Sequence, residues 1–153
     1  MNLRFRPATN ADGPAVQRLV FGILAEYGLK PDSGCTDADL RAIEVHYAGG
    51  CFDVLVDDTG KIVGSVGLHR ESEHECELRK MYLASQARGH GWGKRLLEHA
   101  LERARTLGFQ RVRLETASVL RDAIALYERN GFRKYTPDHP VAARCDATYF
   151  LEL

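Results

Sequence analysis

The sequence predicts an α+β protein, a mixed α/β sandwich with elements in the order β-α-α-β-β-β-α-β-α-β-β around a central, mostly antiparallel sheet. Three alternating apolar segments follow one another between Cys51 and Leu83, joined by turns too short for a crossover helix, which makes a meander. Beyond it, helix-period stretches precede strand patterns, as crossover connections require. Two further helical stretches separate the first strand from the meander. At 153 residues, 44% hydrophobic and 27% charged, the expectation is one domain spanning residues 1–153.

Residues 3–6 form a short strand. From about Asp12, apolar residues at Val16, Leu19, Val20, Ile23, Leu24 and Tyr27 make a helical stripe. Residues 28–34 are a loop. Thr36, with Asp39 three residues later, reads as a cap opening a second helix through about Tyr47, with Leu40 and Ile43 inward. Residues 51–56 alternate, Asp57-Asp58-Thr59-Gly60 is turn chemistry, and residues 61–68 return. Polar residues 69–74 turn the chain again into a third strand over residues 75–83. The next helix carries Trp92, Leu96, Leu97, Ala100, Leu101 and Ala104 on one face and stops at Gly108. In residues 110–115, Val112 and Leu114 alternate with arginines. A helix from about Val119 ends at Asn130-Gly131. Residues 132–134 and 147–153 are the last strands, bridged by a loop holding Pro137, Asp138, His139 and Pro140.

Lys plus Arg and Asp plus Glu both number 21, with no basic block or acidic tail. This argues against a nucleic-acid partner and gives no sign of membrane attraction. Neither an apolar run of about 18 residues nor a signal-peptide pattern is present, so a cytoplasmic location is expected. The cysteines, Cys35, Cys51, Cys76 and Cys145, include no C-x-x-C pair and are expected as free thiols. A zinc site of Cys76 with His74 or His69 would place its ligands on one hairpin at non-ligand spacing. No metal is expected.

The chemistry is concentrated after the third meander strand, where a glycine-dense turn leads into a long amphipathic helix. Such a turn aims several N–H groups at one point, and the first helical turn adds unpaired donors and the positive end of its dipole. An anion fits there, best a diphosphate. A Walker A loop is excluded, because only three residues separate Gly89 from Gly93 and Arg95 follows Lys94 where a hydroxyl is needed. A dinucleotide fingerprint starting at Gly89 fails because position 94 is lysine, and because its first strand should lie near the start of the domain. What remains is Arg-x-x-Gly-x-Gly, met by Arg88, Gly91 and Gly93.

This motif resembles the acyl-CoA signature of the GNAT superfamily of N-acetyltransferases. So do Glu77-Leu78-Arg79-Lys80-Met81-Tyr82-Leu83 before it and Ala123-Ile124-Ala125-Leu126-Tyr127-Glu128-Arg129-Asn130-Gly131-Phe132 after it. The element order agrees over nearly the whole chain, and the specific likeness covers residues 77–132. The resemblance implies a GNAT-like fold with splayed fourth and fifth strands, acetyl-CoA as co-substrate, and a small-molecule or peptide amine as acceptor. It leaves open whether the chain is a homodimer.

By the same resemblance, the backbone of Met81, Tyr82 and Leu83 bonds the pantetheine amides, and the Leu83 N–H polarises the thioester carbonyl. The diphosphate rests on N–H groups of Arg88, Gly89, His90, Gly91, Trp92, Gly93 and Lys94. The Arg88 side chain either adds charge there or is an ordinary exposed arginine. Tyr127 is the candidate general acid for the leaving thiolate, alongside a packing role for its ring. Glu77 is the second catalytic candidate, as the base that takes the proton of the amine or as a structural or substrate-facing charge. Strand alternation would put Glu75, Glu77, Arg79 and Met81 on one face. Many members carry asparagine after the fifth strand; here Thr116 or Ser118 stands nearby, and Ser118 equally well caps the next helix. The expected function is acetyl transfer to a primary amine by direct attack, the alternative a non-catalytic acyl-CoA sensor.

Overall fold

The computed structural model describes residues 2–32 and 34–153; Met1, and Ser33 in the loop expected over residues 28–34, lie outside the described residues. Strands β1 (Arg4–Pro7), β2 (Cys51–Val56), β3 (Ile62–Arg70), β4 (Glu75–Leu83), β5 (Arg111–Thr116), β6 (Arg133–Lys134) and β7 (Ala147–Glu152) form one sheet in the order β1-β2-β3-β4-β5-β7-β6. Among the described residues only β4 with β5 is parallel. Helices α1 (Gly13–Glu26), α2 (Ile43–His46), α3 (Trp92–Thr106) and α4 (Arg121–Arg129) complete the expected element order.

Helices cover both faces, which is why β2 is buried along its whole length. On one face, Val16, Val20 and Leu24 of α1 meet Phe52, Val54 and Val56 of β2. On the other, Leu96, Leu97, Ala100 and Leu101 of α3 pack with Leu68, Cys76, Leu78, Val112 and Leu114, and Leu126 and Tyr127 of α4 join them. Asp53 is the one charge on β2. It faces α3 and is met there by His99 at 2.7 Å and Arg103 at 3.0 Å, as a buried carboxylate requires.

Two expectations are corrected. The second helix, expected from Thr36 to about Tyr47, is a 3-10 turn (Ala38–Arg41) followed by the single turn of α2, and neither Thr36 nor Asp39 caps it. Asp39 is turned inward instead, accepting hydrogen bonds from the Tyr47 hydroxyl and from Lys80 Nζ. A short polar side chain that finds a charged partner in the core no longer serves the local backbone.

The second correction concerns the face of β4. Gly67 pairs with Arg79 and Ser65 with Tyr82, so β4 carries one residue more than β3 between these pairs. The inserted residue is Lys80, at φ 53° the only non-glycine with positive φ among the described residues. A bulge of this kind bends the strand and shifts its alternation by one. Cys76 and Leu78 face α3, and beyond the bulge Met81 does too, opposite to Glu77 and Arg79 rather than beside them.

Candidate active site

Parallel pairing of β4 with β5 is confined to Glu75 with Arg111, Cys76 with Val112 and Glu77 with Arg113. Beyond Glu77 the strands part, while β5 stays paired with β7 as far as Thr116 and Ala147. The wedge opens into a cleft of about 800 Å³ lined from both strands, from the glycine turn and from α4. Backbone alternation decides which groups face it. The N–H of Ala84 donates to Val63 of β3 at 2.8 Å. In an antiparallel pair every second residue is bonded to the partner, so Tyr82 also addresses β3 while Met81 and Leu83 point toward the parted side. The Leu83 carbonyl accepts Arg88 Nε at 2.9 Å. The N–H groups of Met81 and Leu83 and the Met81 carbonyl therefore edge the cleft, and Tyr82 reaches it through its ring.

The glycine turn closes one end. Gly89 and Gly91 both adopt φ 81°, which L side chains rarely do, and a Cβ on either would meet open space. Gly91 is the N-cap of α3 and offers no side chain to its first turn, so the N–H groups of Trp92, Gly93 and Lys94 have no cap. The helix runs for 15 residues behind them with its dipole pointing at the turn. His90 is exposed, and the Trp92 ring is buried against Phe5 with Arg95 stacked 3.8 Å over it, so both bring only their backbone to the turn. The Arg88 guanidinium reaches Glu26 of α1 at 3.2 Å and the Leu83 carbonyl, tying the end of β4 to α1.

Tyr127 is buried on α4 with its ring against Phe132, and it lines the cleft. Burial, then the neighbouring Tyr82 and Cys145, push its phenol well above the usual range, so the hydroxyl keeps its proton throughout the neutral range. Glu77 sits at the closed end of the wedge. One oxygen accepts from Arg79 Nε and the other from Arg113 at 2.5 Å, and Arg113 continues to Glu71. Ser118 is bound to Asp146 at 2.7 Å and makes no side-chain cap for α4, whereas Thr116 is buried and lines the cleft. Burial raises the Cys145 thiol to about 11, leaving it protonated near neutral pH.

The acetyltransferase (GNAT) family model matches residues 19–132. The chain belongs to that family. YjgM of Escherichia coli, an uncharacterised N-acetyltransferase, is 41% identical over 133 residues, which are 83% of this chain and 80% of that one. Other curated relatives are longer proteins; the chain spans 46% and 34% of two of them. A GNAT acetyltransferase structure from Staphylococcus aureus superposes with TM-score 0.91 at 23% identity, covering 99% of both chains. A phosphinothricin acetyltransferase from Sinorhizobium meliloti, solved in complex with acetyl-CoA, gives 0.72 at 22% identity over 98% of this chain and 86% of that one. These two likenesses show the fold. As a GNAT protein the chain is an acetyl-CoA-dependent N-acetyltransferase, moving an acyl group from acyl-CoA to an amine. Among the described residues no helix is long and apolar enough to cross a membrane, and no group of three or more His, Cys, Asp or Glu could hold a metal.

Sequence reasoning missed the charged cluster beside the GNAT cleft. Lys80, Asp37, Asp39 and Arg144 meet there from β4, the segment after α1 and the β6–β7 loop. The available signal was Arg79-Lys80, two consecutive charges that interrupt the alternation of the strand, as a bulge does. Asp37 is fully buried. Burial alone would raise its carboxyl, but Arg144, the Asp32 N–H and Lys80 outweigh that and hold it below the usual carboxylate range. Its unfolded value is about 3.9, so the stabilisation is present above that and is lost as pH falls through the lower folded value. The melting temperature should therefore fall on acidification below about pH 4, and Asp37→Asn should give a flatter profile over that range. Parallel profiles for the two proteins would remove Asp37 from the acid response.

Proposed function

We propose that the cleft transfers an acetyl group from acetyl-CoA to a primary amine by direct attack of the neutral amine on the thioester. The observation that carries this is the parting of β4 from β5 beyond Glu77, which directs the backbone groups of Met81 and Leu83 into a cleft that also holds Tyr127 and the glycine turn. An extended amide-bearing arm bonds to such an edge as an added strand would, and pantetheine is one. The donors of residues 89–94 take the diphosphate; the Arg88 N–H, expected among them, is held by the Ser85 carbonyl at 3.2 Å. That leaves the thioester alongside Leu83, whose N–H faces the carbonyl oxygen as negative charge develops on it.

The bond from the amine nitrogen to the acetyl carbon forms as the carbon–sulfur bond breaks, and the sulfur leaves as a thiolate. Tyr127 is the donor to that sulfur. Its raised pKa keeps it protonated as a hydrogen-bond donor; the proton it passes to the sulfur is replaced, through water, by the one the attacking nitrogen sheds on becoming an amide. Glu77 is assigned a charge role rather than that of the base. Both its oxygens already accept guanidinium hydrogen bonds, so it fixes Arg79 and Arg113 at the cleft floor, and the amine loses its proton to water before attack. The acceptor, a small molecule or a peptide amine, enters between the segment after α1 and the β6–β7 loop, opposite CoA. Most of the rate comes from holding amine and carbonyl in attack geometry.

Released thiol, followed over a panel of amines with acetyl-CoA, tests the transfer. On any acceptor that is turned over, Tyr127→Phe should lower kcat about ten- to thousandfold with CoA affinity little changed. Unchanged turnover would leave Tyr127 as packing only. CoA binding with no turnover on any amine would favour the sensor.

Glu77→Gln separates charge from base. The charge role gives a loss of about tenfold or more that is uniform across pH. Recovery of activity at high pH would restore Glu77 as the base.

A further inference from the structure

We propose that Lys80 is a positioning residue for acyl transfer: pinned between Asp37 and Asp39, it holds the left-handed bulge of β4 from which Met81 and Leu83 face the cleft. A side-chain-bearing residue at φ 53° is disfavoured and persists only where its surroundings over-determine it. Here they do. The Lys80 side chain is 4% exposed, and its ammonium lies 3.3 Å from Asp37 Oδ1, 3.3 Å from Asp39 Oδ2 and 3.1 Å from the Thr36 carbonyl. The ammonium thus donates hydrogen bonds to Thr36 and Asp39 and pairs its charge with Asp37. Ser65 Oγ donates to the Lys80 carbonyl at 2.7 Å, so the bulged peptide is fixed at the backbone as well.

The two acids are fixed in turn. Both Asp37 oxygens accept from Arg144, each at 2.7 Å, and one also accepts the Asp32 N–H at 2.8 Å. Asp39 accepts the Tyr47 hydroxyl. A buried ammonium cannot leave paired carboxylates without uncovering both charges, so the backbone that carries it is held wherever the acids are held. The restraint acts one residue before Met81. Stability alone gives no reason for a charged cluster here, because buried ion pairs do little better than apolar packing of the same volume. Fixing a strained peptide next to the reacting group does give one.

The inference rests on the proposal that pantetheine lies along residues 81–83, and its test separates the two. Calorimetry compares CoA with 3′-phospho-ADP, the same molecule without its pantetheine arm, on the wild type, Lys80→Met and Arg144→Gln. In Lys80→Met, CoA affinity should fall about tenfold, the equivalent of one or two backbone hydrogen bonds, while 3′-phospho-ADP affinity stays within about twofold. Arg144→Gln, at the solvent side of the cluster, gives the same selective loss at about two- to fivefold and decides the matter should Lys80→Met not fold. A CoA preference that survives intact in the folded variants, or equal losses for both ligands, overturns the positioning role alone. A wild type that binds CoA no better than 3′-phospho-ADP overturns the cofactor placement, and this inference with it.

Discussion

Two strands that stop exchanging hydrogen bonds leave donors and acceptors without partners, and the molecule is organised around one such edge. Along Leu78 to Leu83 of β4, the sheet no longer supplies the neighbour it supplies at Glu77. The closed end is stitched by cross-strand charge pairs, Glu77 with Arg113 at 2.5 Å and Glu75 with Arg111 at 3.5 Å. The open end is bent away by the bulge at Lys80 and tied to α1 through Arg88 and Glu26. Both ends are therefore held from outside the wedge, and the backbone between them is kept in shape without a strand neighbour on the β5 side. A ligand that carries its own amides is what such an edge accepts.

The charged groups around the cleft fall into two clusters with different consequences. Around Glu77, two arginines and further acids form a partly exposed network in which no single pair dominates. Around Lys80 the groups are buried and few, and each has a defined partner. In the first, solvent screening spreads the loss of one member over the rest. In the second, removing one member strands another inside the protein. The buried cluster is consequently the more sensitive of the two to loss of a member, and it lies beside the proposed cofactor path.

What the sequence made legible is what backbone and periodicity determine. The element order, the meander and the helical stripe of α3 all follow from spacing, and the glycine turn follows from residues that tolerate positive φ. The boundaries moved where tertiary partners compete with local signals. Asp39 looked like part of a helix cap and instead faces Tyr47 and Lys80. The face of Met81 was misplaced because period-two counting assumes an unbroken ladder, and Lys80 breaks it. Arg144 meets Asp37 across 107 positions of sequence, a pairing that no local pattern encodes.

The same distinction explains why the donor half of the reaction is easier to read than the acceptor half. CoA is long and carries its identity in a diphosphate and two amides, groups that main-chain donors and acceptors recognise. Its proposed contacts therefore appear in sequence as glycines, as a helix start and as the end of a strand. Binding energy drawn from that remote portion can be used to hold the thioester in place, which is where remote contacts raise kcat. The acceptor, by contrast, is proposed to meet side chains from the segment after α1 and from the β6–β7 loop, where recognition rests on side chains that no backbone pattern announces. On that proposal Lys80 connects the two halves, because Asp37, which pairs with it, is bound in turn by Arg144 of the β6–β7 loop. In the proposed arrangement, a change of acceptor-side loop therefore reaches the donor edge through one ammonium.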